Sequence, residues 1–277
     1  INPGTLARHP EAGRKALEEI VRYHTPGDVA AFGMETADPI VVRTNNLKAD
    51  PDEVMEAIRI VNEVGGDRKE GIPDLLPGLN FIAGLAGETK RTFLLNEQFL
   101  ARVLASGLLV RRVNIRQLMP FEGTRAYDDN TLGKHTSQFR AFKEYVRKKF
   151  DLPMLRQVYP IGTILHTVII EEEGELSFGR QMGSYPILVG IPVRLKRHTV
   201  LDTVVVDHGM RSLTGLPVPV QINLLPSRAL KWIPGIGPAA AARIAGARPL
   251  PGLPAFHRIA GTTPVDHLLV FTHPSAQ

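Results

Sequence analysis

The stretch LNFIAGLAGETKRTFLLNEQFLARVLASG, residues 79–107, passes from a short apolar run ending in glycine to a longer run with apolar residues at helical spacing. The first pattern suits a strand and the second a helix, so the stretch reads as one strand-to-helix unit. The same alternation extends in both directions. Upstream, a helix over 11–23 leads to a strand at VAAFGMET (29–36). Asp50-Pro51 then opens a helix through EVMEAIRIVNEVGG (53–66), with proline where its missing N–H costs little and Gly65-Gly66 as the stop. Downstream, RRVNIRQLMPFEGT (111–124) is a further strand and SQFRAFKEYVRKKF (137–150) a helix. Three such units in succession predict parallel strands buried on both faces, an α/β architecture.

Beyond residue 155 the pattern changes. GTILHTVIIEEEGELSFGRQMG (162–183), PILVGIPVRL (186–195) and DTVVVDHG (202–209) are short β-rich runs broken by glycine and proline, which predicts a small antiparallel β-barrel over 156–223. The last part, 224–277, returns to helical runs. Charge follows this division. Residues 1–150 hold 22 Lys and Arg against 20 Asp and Glu, 151–223 hold 6 against 7, and 224–277 hold 5 against 1, so the last segment carries most of the chain's +5.

Several function classes drop out. No run of about 20 apolar residues is present to span a bilayer, and INPGTLARHPEAGRK at the start has no signal-peptide core, so the expectation is a cytoplasmic protein with no membrane partner. The chain has no cysteine, which removes disulfides, a thiol nucleophile and thiolate-ligated zinc or iron–sulfur sites. Nine histidines lack metal-ligand spacing, so no metal site is expected. Neither a P-loop nor a Ser–His–Asp order stands out.

In parallel α/β folds the loops after the strands build the site. Here those loops carry Gly33-Met34-Glu35-Thr36, Gly84-Leu85-Ala86-Gly87-Glu88-Thr89 and Asn114-Ile115-Arg116-Gln117 running into Pro120-Phe121-Glu122-Gly123-Thr124. Taken singly, each also reads as a tight, capped turn. At the other end, LKWIPGIGPAAAARIA (230–245) reads as a helix-hairpin-helix. Leu230 and Ile233 anchor one helix, Pro234-Gly235-Ile236-Gly237 turns, and Ala241 and Ile244 pack the next. Glycines expose backbone N–H groups beside a helix N-terminus, so a phosphate can dock without base readout. The bland reading is a compact αα corner. A degenerate second copy follows in GLPAFHRIAG (252–261).

The ordered series GMETADP, NFIAGLAGET and NIRQLMPFEGT resembles the second half of a radical S-adenosylmethionine (SAM) enzyme barrel, and the whole chain resembles archaeal proteins of that kind with nucleic-acid-binding modules at the C-terminus. The resemblance implies a partial parallel (β/α) barrel over 1–155, a TRAM-like small barrel over 156–223 and a helix-hairpin-helix over 224–277. It implies SAM and a [4Fe-4S] cluster as cofactors of a longer parent, with the cluster cysteines upstream and absent here. Ile82, Gly84 and Glu88 match the family's adenine-holding pattern, with Asn80 in place of its leading glycine and Glu88 one residue late. Glu35 and Thr36 would lie near the ribose or the methionyl amino group; Asn114, Arg116 and Gln117 would face the cleft. The TRAM-like barrel would contact RNA or DNA through Arg180, Gln181, Tyr185, Arg194, Lys196, Arg197 and Arg211, and the hairpin through Lys231, Gly235, Ile236 and Gly237. The implied activity is radical modification of a nucleic acid, these residues alone being inactive. The rivals are a non-catalytic nucleic-acid binder on a decayed half-barrel and a radical SAM enzyme acting on a small molecule.

Overall fold

Proline punctuates the first helices. Pro3, Pro10, Pro39 and Pro51 each occupy the first turn of a helix, and Asn2, Asp38 and Asp50 accept backbone N–H groups as N-caps just before three of them. The computed structural model describes residues 1–68, 71–183 and 185–272; Ser184, inside the stretch 178–186, and the end of the expected C-terminal module lie outside these residues. The chain divides into two units, Ile1–Val158 and Tyr159–Gln277.

The first unit runs α1 (Pro3–Arg8), α2 (Pro10–Tyr23), β1 (Asp28–Glu35), α3 (Pro39–Thr44), α4 (Pro51–Gly65), β2 (Leu75–Ala83), α5 (Lys90–Ala105), β3 (Arg112–Gln117), α6 (Arg125–Asp128), α7 (Thr136–Tyr145), a π-helical turn (Val146–Asp151) and α8 (Leu152–Val158). The strands form a parallel sheet in the order β1-β2-β3. Successive right-handed crossovers in that order place α4 and α5 on one face. That face is the core: Phe32, Leu79, Phe81 and Val113 are buried, and Phe81 meets Phe142 of α7 edge-on at 5.5 Å.

Burial on both faces was the expectation for parallel strands, and the sheet departs from it. On the other face lie Ala31, Gly33, Asn80, Ile82, Arg112, Asn114 and Arg116, half-buried or exposed. Apart from Ile82 these residues are small or polar, so toward the strand ends this face supplies no continuous apolar surface for a second helical layer. The second strand also ends earlier than its pattern suggests. Gly84 and Gly87 take φ of +102° and +78°, left-handed values that stop a strand and start a turn.

The second unit runs β4 (Ile164–Glu172), β5 (Ser177–Gln181), β6 (Leu188–Ile191), β7 (Val200–His208), β8 (Ser212–Pro217), β9 (Val220–Gln221), α9 (Ser227–Leu230), α10 (Pro238–Ala247), α11 (Leu253–Ala260), a 3-10 turn (Asp266–Leu268) and β10 (Leu269–Val270). Five strands close a barrel in the order β4-β5-β6-β8-β7. It is not wholly antiparallel as expected, because β6 and β8 pair in parallel. The cause is the connection after β6, which carries β7 across to pair with β4; β8 then returns by hairpin and runs in the direction of β6. Val204, Val206 and Leu216 of the barrel share one core with Leu230, Ile233, Ile236, Ala241, Ile244 and Phe256 of the C-terminal helices. Among the described residues, no helix is long and apolar enough to cross a membrane.

Candidate functional site

The strand ends of the first unit hold two separate groups. Glu35, last in β1, has φ +56° at a break in the register with β2. Its carboxylate folds back over Gly33, where a Cβ would sit 2.5 Å from Glu35 Oε1. Glu35 Oε2 is buried without a hydrogen-bond partner, and burial pushes the carboxyl above its ordinary pKa. Beside it on the open face, Asn80 Nδ2 donates to Phe32 O (3.0 Å), Asn114 Nδ2 donates to Asn80 Oδ1 (2.9 Å), and Arg112 donates to Asn114 Oδ1 (2.5 Å). Ile82 and exposed Arg116 pair across β2 and β3 on the same face. The structure thus brings Glu35, Ile82, Asn114 and Arg116 to one face of the sheet.

Thr36 is not among them. It is buried, with its hydroxyl donating to Asn96 Oδ1 (3.3 Å) and accepting from Asp38 N, so it holds the turn from β1 to α3. Gly84 and Glu88 belong to a second group. Glu88 is buried and accepts the Gly84 N–H at 3.0 Å. Burial raises its carboxyl, opposed by the Gly84 N–H, His135 and Thr131. Thr131 N donates to Gly84 O, its hydroxyl to Leu85 O, and His135 Nε2 lies 3.1 Å from Glu88 O. Leu132 closes over Gly84, its Cα 3.4 Å from where a Cβ would be. Together with Gln117 these residues leave a cavity of only about 10 Å³. Glu88 here caps its own loop, and residues 131–136 cover it.

On the barrel, two of the four arginines read as nucleic-acid contacts are engaged with the acidic edge. Arg180 pairs with Glu171, and Arg194 with Glu173 (3.5 Å) and Glu175 (3.3 Å). Arg228 also pairs with Glu175. Gln181 donates to His166 O at 2.8 Å. Lys196 and Arg197, between β6 and β7, are exposed, as are Tyr185 and Arg211.

The stretch 230–245 is a tight turn between the four-residue α9 and α10, so Ile233, expected on a helix with Leu230, lies in the turn. Leu230, Ile233, Ala241 and Ile244 are buried as anchors, and Ile233 O accepts the Ile236 N–H at 2.9 Å. Ile236 was read as a contact residue; its side chain is buried and its N–H is spent inside the turn, so it shapes the loop. Gly235 takes φ +84°, a conformation that favours glycine. Gly237 is the N-cap of α10 and has no capping side chain; Pro238 has no N–H, so the Ala239 and Ala240 N–H groups are left uncapped. A Cβ at Gly235 or Gly237 would meet nothing within 4 Å. Lys231 Nζ sits 5.8 Å from the Trp232 ring centroid, and the turn faces Val206 and Asp207 at the end of β7 across a hollow of about 380 Å³. Trp232 and Asp207 escaped the sequence reading, because only the fold sets β7 beside the turn.

No protein-family model matches the chain. It is 44% identical over 238 residues to an uncharacterized protein of Archaeoglobus fulgidus, covering 85% of this chain and 45% of that protein. It is 47% identical over 220 residues to an uncharacterized protein of Methanocaldococcus jannaschii, covering 77% of this chain and 40% of that protein. The chain therefore spans less than half the length of the curated relatives it matches.

Proposed function

We propose that the second unit binds a nucleic-acid backbone and that the first is the second half of a radical SAM barrel, the whole protein modifying RNA or DNA. The observation that carries the nucleic-acid reading is the Pro234–Gly237 turn, whose flanking helices share a core with the closed barrel. That anchoring holds the uncapped N–H groups of α10 in place, so phosphate binding costs little ordering. Five-stranded closed barrels of this size also serve oligonucleotide binding through loops and a sheet face.

The cofactors fit unevenly. With no cysteine, these residues offer an iron–sulfur cluster no thiolate, and its ligands would come from chain outside them. SAM finds partial complementarity: the unpartnered Glu35 carboxylate suits an ammonium group, and exposed Arg116 suits a carboxylate through its bidentate fork. The closure of 131–136 over Gly84 and Glu88 favours the rival reading, a non-catalytic binder that keeps the sheet as scaffold.

Fluorescence anisotropy with a labelled oligonucleotide over a salt series tests the grip. Binding weakens steadily with salt as counterions are released. Gly237→Asp sets a carboxylate where phosphate docks, and affinity falls about tenfold or more, ~1.4 kcal/mol. The variant should fold, since its Cβ has room and Asp is a favoured N-cap. Unchanged binding by the folded variant reduces the turn to an αα corner and removes the nucleic-acid reading of 230–245.

A further inference from the structure

We propose that the hollow between the hairpin turn and the end of β7 receives the sugar and base of an unpaired ribonucleotide, making this unit selective for single-stranded RNA. The proposal rests on the nucleic-acid reading above and names its substrate class. The hollow, about 380 Å³, lies within the ~300–1,000 Å³ usual for small-ligand sites. Three side chains give it a chemistry that a phosphate alone does not need.

Trp232, the single tryptophan of the chain, is half-buried and lines the hollow. An indole face stacks on any base, and so it selects for an unpaired one without regard to sequence. Lys231 adds a cation held near the same ring, suited to the phosphate that accompanies the base. Asp207 brings the opposite charge to the same wall. Its Oδ1 accepts the His208 N–H at 2.8 Å, while Oδ2 has no partner among the described residues. Asp207 is exposed, so this oxygen repels phosphate and is open to a donor from the ligand. Within a polynucleotide the sugar has one donor, the 2′-hydroxyl, and DNA lacks it. The mixed wall therefore suits a ribonucleotide: base on Trp232, phosphate toward Lys231, and 2′-hydroxyl on Asp207.

The lone tryptophan reports on the site directly. The full chain is titrated with a single-stranded oligoribonucleotide, the oligodeoxyribonucleotide of the same sequence, and a duplex, following intrinsic fluorescence and, in parallel, anisotropy of a label on the nucleic acid. Single-stranded RNA should quench Trp232 saturably and bind about tenfold more tightly than the matching DNA, ~1.4 kcal/mol. The duplex should bind through phosphates alone and leave the fluorescence unchanged. Asp207→Ala should bring RNA affinity down to the DNA value, and Trp232→Phe, which keeps a ring in the core, should weaken both single strands. Equal affinity for RNA and DNA in the wild-type chain, or binding by anisotropy with no change at Trp232, overturns the proposal. If Gly237→Asp abolishes binding in those same experiments, the backbone grip survives; if no nucleic acid binds at all, both readings fall together.

Discussion

At the scale of single residues, Glu35 and Gly235 are placed where their backbones are restricted. Glu35 holds φ +56° and a buried, unpartnered oxygen, a combination that costs stability and persists only because its neighbours fix it. Burial raises its folded pKa above the unfolded value, so between those two values the native state holds the extra proton. Stability contributed by that proton is lost as pH rises through the window. Glu35→Gln has no such proton to lose. Its melting temperature should therefore gain on the wild type as pH goes from about 4 to about 8; a constant gap across the series contradicts the burial. At Gly235 the φ of +84° penalises any Cβ although space is free, so Gly235→Ala should lose about 1 kcal/mol in urea denaturation. Gly237, with an ordinary φ of −80°, should accept Asp with no loss. Sequence reading treated these two glycines alike. Their difference lies in a dihedral, which composition does not encode.

At the scale of elements, helices with local start signals were legible. The Asp50-Pro51 start is a capping box in the structure, with Glu53 closing it, and the helix stops at Gly65 and Gly66 as its glycines suggest. The short helix α3 went unread although Asp38-Pro39 carries the same signal, and residues 1–11, which the radical SAM resemblance implied to be a strand end and its turn, hold the helix α1 behind Asn2-Pro3. Six residues are too few to show a periodicity. Asp38 illustrates what the signal leaves out: Oδ1 caps α3 through the Ile40 N–H (2.9 Å), while Oδ2 accepts the Thr92 hydroxyl (2.7 Å) from α5. Asp38→Ala should cost about 1 kcal/mol for the cap and about 1–2 kcal/mol more for the stranded buried hydroxyl. A urea midpoint within error of wild type would show that neither bond matters.

At the scale of the whole molecule, the second unit is one folding body in which barrel and hairpin share apolar residues. The sequence suggested separate modules at 156–223 and 224–277, yet Leu230 packs fully buried in a cluster with Val204, Val206 and Leu216. Leu230→Ala should destabilise this unit by about 2–5 kcal/mol, with faster amide exchange in β7 and β8 as well as in the hairpin. Exchange confined to 224–272 would separate the two after all. Anaerobic treatment of the chain with iron and sulfide should leave no stoichiometric cluster, since it has no thiolate to offer; a stable cluster would reverse that reading. The sequence by itself determined the alternating strand–helix order of the first unit, the switch to β-rich runs and the tight PGIG turn, because periodicity and the backbone limits of glycine and proline act over a few neighbours. Only the tertiary structure decided the parallel β6–β8 pairing, the half-open sheet face carrying Glu35 and Arg116, the covering of Glu88, and the meeting of Asp207 with Trp232. Each of those joins residues distant in the chain, and which of them meet depends on how every other apolar face is buried.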